Sequence, residues 1–284
     1  MRKEEYTNIL FAGHFQIKAY TNKKFNQKIL EDAYEYGKKL EKIFNLYDKD
    51  SILSRLNKKR KLKVPKEFIK LLKKAIKASK LTSGDYDITL GKNFLARKKG
   101  ERLKKLNCSY KDIKIKGNFV ELKSPDILID FGSIAKGYIT DKIGDYLKKR
   151  KVNSFAINSR GDILVSGSTS QIIKIQHPRK KGKFASVCVK NSGIATSGDY
   201  RQFYGSLDKS HILNKKEFIS VTVIAPKLVD ADLLATVLIV SNKDRIVRLL
   251  KNNKKIKALT IDKNLMVHDY NNFRKNIYEY KMDD

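Results

Sequence analysis

Apolar residues recur at helical spacing in several parts of the chain. Within residues 27–45 they follow the pattern of an amphipathic helix, at Ile29, Leu30, Tyr34, Leu40, Ile43 and Phe44. A second helix is predicted over 65–81, with Pro65 at an initiating position. Residues 46–60 are expected to form a loop, and residues 92–110 are weakly patterned. The same spacing predicts later helices at about 134–150, 230–241 and 243–251.

Short segments rich in β-branched residues predict strands. They lie at 8–20, 113–122, 127–131, 153–158, 161–167, 171–176, 184–190, 218–225, 256–262 and 264–270, and another is predicted to end near His211. These strands come in series between helices, which favours an α+β fold over a doubly wound parallel sheet. We therefore predict one compact domain over residues 1–284, with a mixed, largely antiparallel sheet and flanking helices.

The chain carries a formal net charge of +32, and a strongly basic surface attracts nucleic acid through its phosphates. Most of this charge comes from lysine pairs that are scattered along the chain, without a recognisable nucleic-acid motif. We therefore expect solvated lysine faces and no nucleic-acid partner. Cys108 and Cys188 stand outside any Cys/His cluster, so no disulfide framework or zinc site is predicted.

Residues 1–20 include Glu4, Glu5 and His14 and contain no apolar run of secretory length. No segment reaches the length of a transmembrane helix. These features predict a cytoplasmic protein.

The segment 130–141 (DFGSIAKGYITD) follows an apolar run and leads directly into a predicted helix. A strand that ends at a helix N-terminus presents free backbone N–H groups and the positive end of the helix dipole. Lys136 adds a formal charge, so the segment favours the binding of a phosphate. The alternative is an ordinary turn between a strand and a helix, because glycine-rich turns are common.

The pentapeptide TSGDY occurs twice, at 82–86 and at 196–200. Each copy combines small hydroxyl residues, a glycine and a carboxylate after a regular segment, which fits a tight loop that lines a pocket. Chance similarity of two turns is the alternative. No longer repeat surrounds either copy, so a duplicated domain is not indicated.

Asp232 and Thr236 lie four residues apart on one face of a predicted helix. Their oxygens could complete a magnesium site together with substrate phosphates, because Mg²⁺ prefers oxygen ligands. Alternatively, Asp230 or Asp232 caps the helix and Thr236 packs inside it. His211 stands near a candidate pocket loop and could act as a general base, although a single histidine can equally be structural.

Taken in their order along the chain, these segments resemble the FAD:protein FMN transferases, the ApbE family, over nearly the whole chain. The similar family patterns include GxFDxTxG, LDLGGIAKGYAxD, GGDIxxxG and ViA…ADaLaTal. Six blocks carry the resemblance, at 51–57 (SILSRLN), 83–91 (SGDYDITLG), 130–141, 158–167 (NSRGDILVSG), 195–211 and 223–240.

The resemblance implies an enzyme that splits the pyrophosphate of FAD with Mg²⁺ and releases AMP. FMN is transferred to a threonine of an acceptor flavoprotein, which can itself be membrane-bound. The implied metal ligands are the side chains of Asp232 and Thr236 and the backbone carbonyls of Ser133 and Ala235. Residues that correspond to nucleotide contacts are Asn57, Asp87, Lys136, Thr196, Ser197, Gly198 and Asp199. His211 corresponds to the histidine that deprotonates the acceptor threonine.

The chain departs from the family pattern at two places. After His211 the family continues with an acidic-Pro-Arg-Thr-Gly turn, whereas this chain has ILNKKE at 212–217. The Met-Gly-Thr of many relatives appears as Ala12, Gly13 and His14. Many members are exported lipoproteins, so a periplasmic or membrane-associated location is the family-based alternative. Two functional alternatives also stay open, an FAD pyrophosphatase and an FAD-binding protein without catalysis.

Overall fold

The computed structural model describes residues 2–22, 25–200, 203–210 and 212–280. The helices of these residues are α1 (Lys28–Phe44), α2 (Ile52–Lys59), α3 (Lys66–Leu81), α4 (Gly91–Lys99), α5 (Ala135–Lys149), α6 (Leu228–Ile239) and α7 (Lys243–Lys251). The first eight strands are β1 (Arg2–Leu10), β2 (Gly13–Thr21), β3 (Lys61–Lys63), β4 (Ile113–Lys116), β5 (Phe119–Leu122), β6 (Phe155–Ser159), β7 (Asp162–Ser166) and β8 (Gln171–Gln176). The remaining strands are β9 (Lys183–Val189), β10 (Ser192–Gly198), β11 (Phe203–Tyr204), β12 (Ser206–Ser210), β13 (Phe218–Ala225), β14 (Lys257–Asp262), β15 (Val267–Tyr270) and β16 (Ile277–Tyr280).

The main sheet has eight strands in the order β1-β2-β6-β7-β10-β13-β14-β15, and every neighbouring pair is antiparallel. Three smaller sheets have the orders β16-β9-β8, β3-β5-β4 and β11-β12. The predicted α+β fold with a largely antiparallel sheet is therefore confirmed. Among the described residues, none of the helices combines the length and the apolar character that a membrane crossing requires.

The main sheet separates two apolar cores. Helices α1, α5 and α6 pack on one face, where Val221 and Val223 of β13 join the larger core. On the other face, Ile224 of the same strand packs with apolar residues of β8 and β9. Every residue of β13 is buried, which explains why its sequence is mostly apolar on both faces, with only Ser220 and Thr222 as polar residues.

Two glycines bring α5 and β10 close to the start of α6. A Cβ atom at Gly137 would lie 2.6 Å from the carbonyl oxygen of Leu228, and one at Gly193 would lie 2.5 Å from the Leu228 Cα. Larger residues at either position would separate these elements. The close approach places the first turn of α5 beside the polar residues of α6.

Several predicted elements are wrong in kind or in extent. Segment 46–60, which was expected to form a loop, contains a helix, α2, whose N-terminus is capped by Ser51. Segment 92–110, for which no element was predicted, contains most of α4. Residues 8–20 belong to a hairpin of two strands that turns at Phe11 and Ala12, both with positive φ. Segment 127–131 is not a strand. Its backbone forms hydrogen bonds with the connecting segment 88–91, and the only strand-like pairing there is an isolated bridge between Leu128 and Leu90.

The second TSGDY copy differs from the predicted tight loop. Its first three residues form the end of β10, paired with β13 in regular antiparallel register. Small and hydroxyl residues dominate this strand (SGIATSG), so it lacks the β-branched run that indicates a strand.

Candidate active site

A cavity of about 880 Å³ opens beside the start of α5. Residues of α1, α5, α6 and β10 line it, together with the connecting segments 85–91 and 130–133. Its volume lies within the range of small-molecule and cofactor sites. The predicted site residues that line it are Asp87, Ser133, Lys136, Thr196, Ser197, Gly198, Asp232 and Thr236.

Lys136 stands in the first turn of α5 with its ammonium between two carboxylates. Its Nζ lies 2.5 Å from Asp162 Oδ2 at the start of β7 and 2.9 Å from Asp232 Oδ1 in α6. The other oxygen of Asp232 accepts the backbone N–H of Gly137 at 2.9 Å. The Lys136 side chain is 25% exposed and the two carboxylates less than 10%, so each charge depends on its partners.

Burial by itself would lower the pKa of Lys136, because a low-dielectric environment disfavours the charged amine. The carboxylates of Asp162 and Asp232 outweigh that effect and raise its pKa above the ordinary value. Lys136 is therefore a permanent cation at physiological pH. With both carboxylates ionised, the three groups together carry one net negative charge at the wall of the cavity.

Thr236 faces the cavity one helical turn after Asp232. Its Oγ1 lies 3.2 Å from the Oγ of Ser197 on β10, and Thr196 Oγ1 lies 2.9 Å from Thr222 Oγ1 on β13. Successive side chains of a strand point to opposite faces of the sheet, so the Ser197 hydroxyl lies on the α6 side of β10, whereas the Thr196 hydroxyl lies on the other side with Thr222. The capping alternative for Asp232 is not supported, because the first N–H groups of α6, those of Leu228 and Val229, donate to Asp141 of α5.

The first TSGDY copy forms the turn after α3, as predicted. The Thr82 hydroxyl accepts the N–H of Tyr86 at 3.1 Å and holds the turn closed. This brings the Tyr86 hydroxyl to 2.8 Å from Ser133 Oγ in the cavity wall, where burial raises the pKa of Tyr86. Asp87 accepts hydrogen bonds from Thr89 and from the backbone of Tyr110, so it also organises the surrounding segments.

Three predicted residues lie outside the lining of the cavity. The side chain of Asn57 exchanges two hydrogen bonds, of 2.9 and 2.8 Å, with the backbone of Ile129. Asp199 is fully buried in ion pairs with Arg179 and Lys215. Ala235 is buried within α6. His211 lies outside the described residues.

Other polar residues of the cavity were not predicted individually. Asp162 and Arg160 belong to the block at 158–167, and the only signal for them was their place in that block. Asp130 and Glu41 also line the cavity, and burial raises the pKa of both carboxyl groups. Glu41 lies on the amphipathic helix α1, where a charged residue normally indicates a solvated face.

The donor atoms at Asp232 and Thr236 suit a hard cation. Both side chains offer oxygen, the element that Mg²⁺ prefers, and both line the same cavity. Asp232 accepts one hydrogen bond on each oxygen, which leaves further lone pairs on the carboxylate. The described residues contain no cluster of three or more His, Cys, Asp or Glu side chains that could hold a metal. A cation here would therefore need ligands from the backbone and from a substrate.

A sequence model of the ApbE family matches residues 12–260. The chain belongs to this family. The match includes α5, β10 and α6, and therefore the residues around Lys136 and Asp232.

Curated relatives within the family carry the name FAD:protein FMN transferase. The protein of that name from Buchnera aphidicola (subspecies Schizaphis graminum) is 27% identical over 80% of this chain and 74% of its own length. The one from Haemophilus influenzae is 27% identical over 80% of this chain and 77% of its own length.

Two solved structures share the fold. The flavin transferase ApbE from Vibrio cholerae has a TM-score of 0.79 at 24% identity, covering 95% of this chain and 97% of that structure. The ApbE protein from Thermotoga maritima has a TM-score of 0.85 at 22% identity, covering 98% and 100%. At these identities the likeness supports the architecture.

Proposed function

We propose that this protein is a flavin transferase that moves FMN from FAD to a threonine hydroxyl of an acceptor protein and releases AMP. The proposal draws on the names of the relatives that share about a quarter of its sequence. The observation that carries it in this chain is the Lys136 ammonium, held between Asp162 and Asp232 at the wall of a nucleotide-sized cavity. Such a group can position a carboxylate beside a polyphosphate without leaving a buried charge unpaired.

The reaction is a displacement at phosphorus. The threonine oxygen forms a bond to the phosphorus of the FMN half while the bond from that phosphorus to the bridging oxygen breaks. AMP leaves with the electron pair of the broken bond. The hydroxyl proton must pass to a base, and we propose His211 for this role because of its place in the family pattern.

The residues of the cavity have distinct tasks in this scheme. Lys136 and the Gly137 N–H hold the Asp232 carboxylate in its orientation. Asp232 and Thr236, with backbone carbonyls of Ser133 and Ala235, would hold Mg²⁺. When bound, Mg²⁺ supplies positive charge that offsets the negative charge of the pyrophosphate.

The test combines the protein, FAD, Mg²⁺ and a candidate acceptor carrying a threonine. We expect AMP release together with covalently bound flavin fluorescence on the acceptor. Asp232→Asn keeps the size of the side chain and an acceptor for the Gly137 N–H, but it removes the charge. It should lower AMP release by at least about a hundredfold while the melting temperature shows a folded protein.

The matched control is Asp230→Asn, two residues away on the same helix, whose carboxylate pairs with Lys74 and does not line the cavity. It should retain activity. AMP release without labelled acceptor would identify an FAD pyrophosphatase instead. FAD binding without any AMP would identify a binding protein, and normal turnover by Asp232→Asn would remove Asp232 from the site.

A further inference from the structure

Arg160 lines the cavity from the two-residue connection between β6 and β7. Both residues of this connection have positive φ, 55° at Arg160 and 95° at Gly161. Hairpin turns of this kind favour Asn-Gly, because most side chains are strained at positive φ. Arginine at the first position is thus an unfavourable choice for the turn alone. Backbone strain of this kind tends to persist where a side chain has a function.

Gly13 provides the space that the Arg160 side chain occupies. A Cβ atom at Gly13 would lie 2.6 Å from both Cδ and Nε of Arg160. The guanidinium is held in place by Nη1, which donates to the carbonyl of Phe11 at 2.7 Å. The backbone N–H of Arg160 donates to the His14 carbonyl at 3.0 Å. The β1-β2 hairpin therefore fixes the direction of this arginine.

The charge of Arg160 is not compensated in the way that the charge of Lys136 is. Lys136 is bound by Asp162 and Asp232, whereas Arg160 forms no ion pair with any carboxylate of the described residues. Only one of its donors is used by Phe11, and a guanidinium has five. Its remaining N–H groups can form the paired hydrogen bonds that suit a phosphate.

We propose that Arg160 binds a phosphate group of the flavin dinucleotide at the rim of the cavity. This inference rests on the proposed function, since it assumes that FAD is the ligand. It adds a direct cationic contact to the site, while Lys136 acts through the carboxylates. Because Arg160 is exposed to solvent, the contact weakens as salt increases.

The test uses Arg160→Asn, because asparagine is favoured at this turn position and lacks the charge. Binding of FAD and of riboflavin is measured with Mg²⁺ present, at low and at moderate salt. We expect FAD to bind about tenfold more weakly, in line with the loss of a hydrogen bond to a charged group. Riboflavin, which has no phosphate, should bind as it does to the wild type. The salt dependence of FAD binding should become shallower, and Arg160→Lys should restore part of the affinity.

Lys151→Gly is the matched control. Lys151 is an exposed basic residue with φ of 64°, and it does not line the cavity. It should leave FAD binding unchanged. Equal losses for FAD and riboflavin, or FAD affinity within twofold of wild type in Arg160→Asn, would overturn the assignment. Failure of the wild type to bind FAD would instead overturn the proposed function.

A second variant separates the position of the guanidinium from its presence. Gly13→Ala should displace the Arg160 side chain, because the new methyl group occupies its place. It should therefore weaken FAD binding in the wild-type background. In the Arg160→Asn background it should not weaken FAD binding further, because the guanidinium that it displaces is already absent. Additive losses would show that Gly13 acts independently of Arg160.

Discussion

At the scale of single residues, Lys136 shows how burial changes the partners of a charged side chain. Its sequence position suggested a cation that faces a phosphate directly. The structure instead pairs its ammonium with Asp162 and Asp232, so the lysine neutralises protein carboxylates before any ligand arrives. Arg160 differs from Lys136 in this respect, because it is exposed and forms no ion pair with any described carboxylate.

Lys136→Met is expected to lower the free energy of unfolding by about 3–5 kcal/mol, because it leaves two buried carboxylates without their cation. The measurement is denaturant unfolding at pH 7. Lys74→Met is the control, since its pair with Asp230 is partly exposed and should contribute less than about 1 kcal/mol. Equal losses in the two variants would contradict the structural role of Lys136.

At the scale of elements, Asp141 joins α5 to α6. Its two oxygens accept the N–H groups of Leu228 and Val229, at 2.9 and 3.0 Å. Burial raises the pKa of Asp141 to about 6 and outweighs the opposite effect of these hydrogen bonds. The start of α6 is thus capped by a carboxyl group whose pKa lies only about one unit below neutral pH.

Asp141→Asn is expected to change the pH profile of stability. The folded pKa of about 6 exceeds the unfolded value near 3.9, so the wild type loses stability as pH rises from about 4 to 6, by up to about 3 kcal/mol. The variant should lack this decline. Urea unfolding at several pH values checks the difference, with Asp32→Asn as control, because Asp32 is exposed on α1 and does not contribute to the raised pKa of Asp141. If stability changed with pH in the same way in wild type and Asp141→Asn, the decline would not be due to Asp141.

Asp199 links three elements through one fully buried carboxylate. It lies 2.8 Å from Nη1 of Arg179, in the β8-β9 connection, and 2.6 Å from Nζ of Lys215. Lys215 belongs to segment 212–217, where the chain departs from the family pattern. The local ion pairs offer a physical reason why this segment can be held without the usual turn.

Asp199→Asn should destabilise the protein by about 3–5 kcal/mol, because two cations lose their shared partner. Amide hydrogen exchange should accelerate most in 212–217 and in the β8-β9 connection. Lys215→Met removes only one cation and leaves the paired contact with Arg179, so its effect should be smaller. Uniform acceleration over the whole chain would contradict a local linking role.

The elements that sequence periodicity predicts are those with long apolar patterns. Helices α1 and α3 and strand β13 agree within a residue or two, because burial of one face, or of both for β13, sets their sequence. The β1-β2 turn was missed because Phe11 and Ala12 adopt positive φ without a glycine or asparagine to mark it. Strand β10 was missed because its interior position allows small residues beside α6.

The candidate site was predictable where a residue type and its spacing agree. Asp232 and Thr236 share the cavity, as their separation along a helix indicates. The roles of Asn57 and Asp199 depend on partners 72 and 16–20 residues away, which no local pattern reveals. The same is true of the space that Gly13 leaves for Arg160.

At the scale of the whole molecule, 62 lysines and arginines face only 30 aspartates and glutamates, so 32 cationic side chains have no carboxylate of their own. The small sheet β3-β5-β4 is an example. Lys63 and Lys116 flank Phe119 on neighbouring strands, and both are exposed. Strands in a sheet lie about 4.8 Å apart, so the Cα atoms of these two lysines lie roughly 10 Å from each other. Repulsion between such like charges destabilises the compact state.

Added NaCl should therefore raise the melting temperature, because the Debye length falls from about 20 Å at 20 mM to below 10 Å at 300 mM. Lys116→Glu should raise the melting temperature at 20 mM, since it replaces a repulsion of Lys63 with an attraction. The melting temperature of Lys116→Glu should increase less with salt than that of the wild type. The increase for Lys116→Gln should lie between the two. Differential scanning calorimetry at several NaCl concentrations checks this series. A wild-type melting temperature that falls with NaCl would show that attractive ion pairs, rather than lysine repulsion, dominate the electrostatics of this chain.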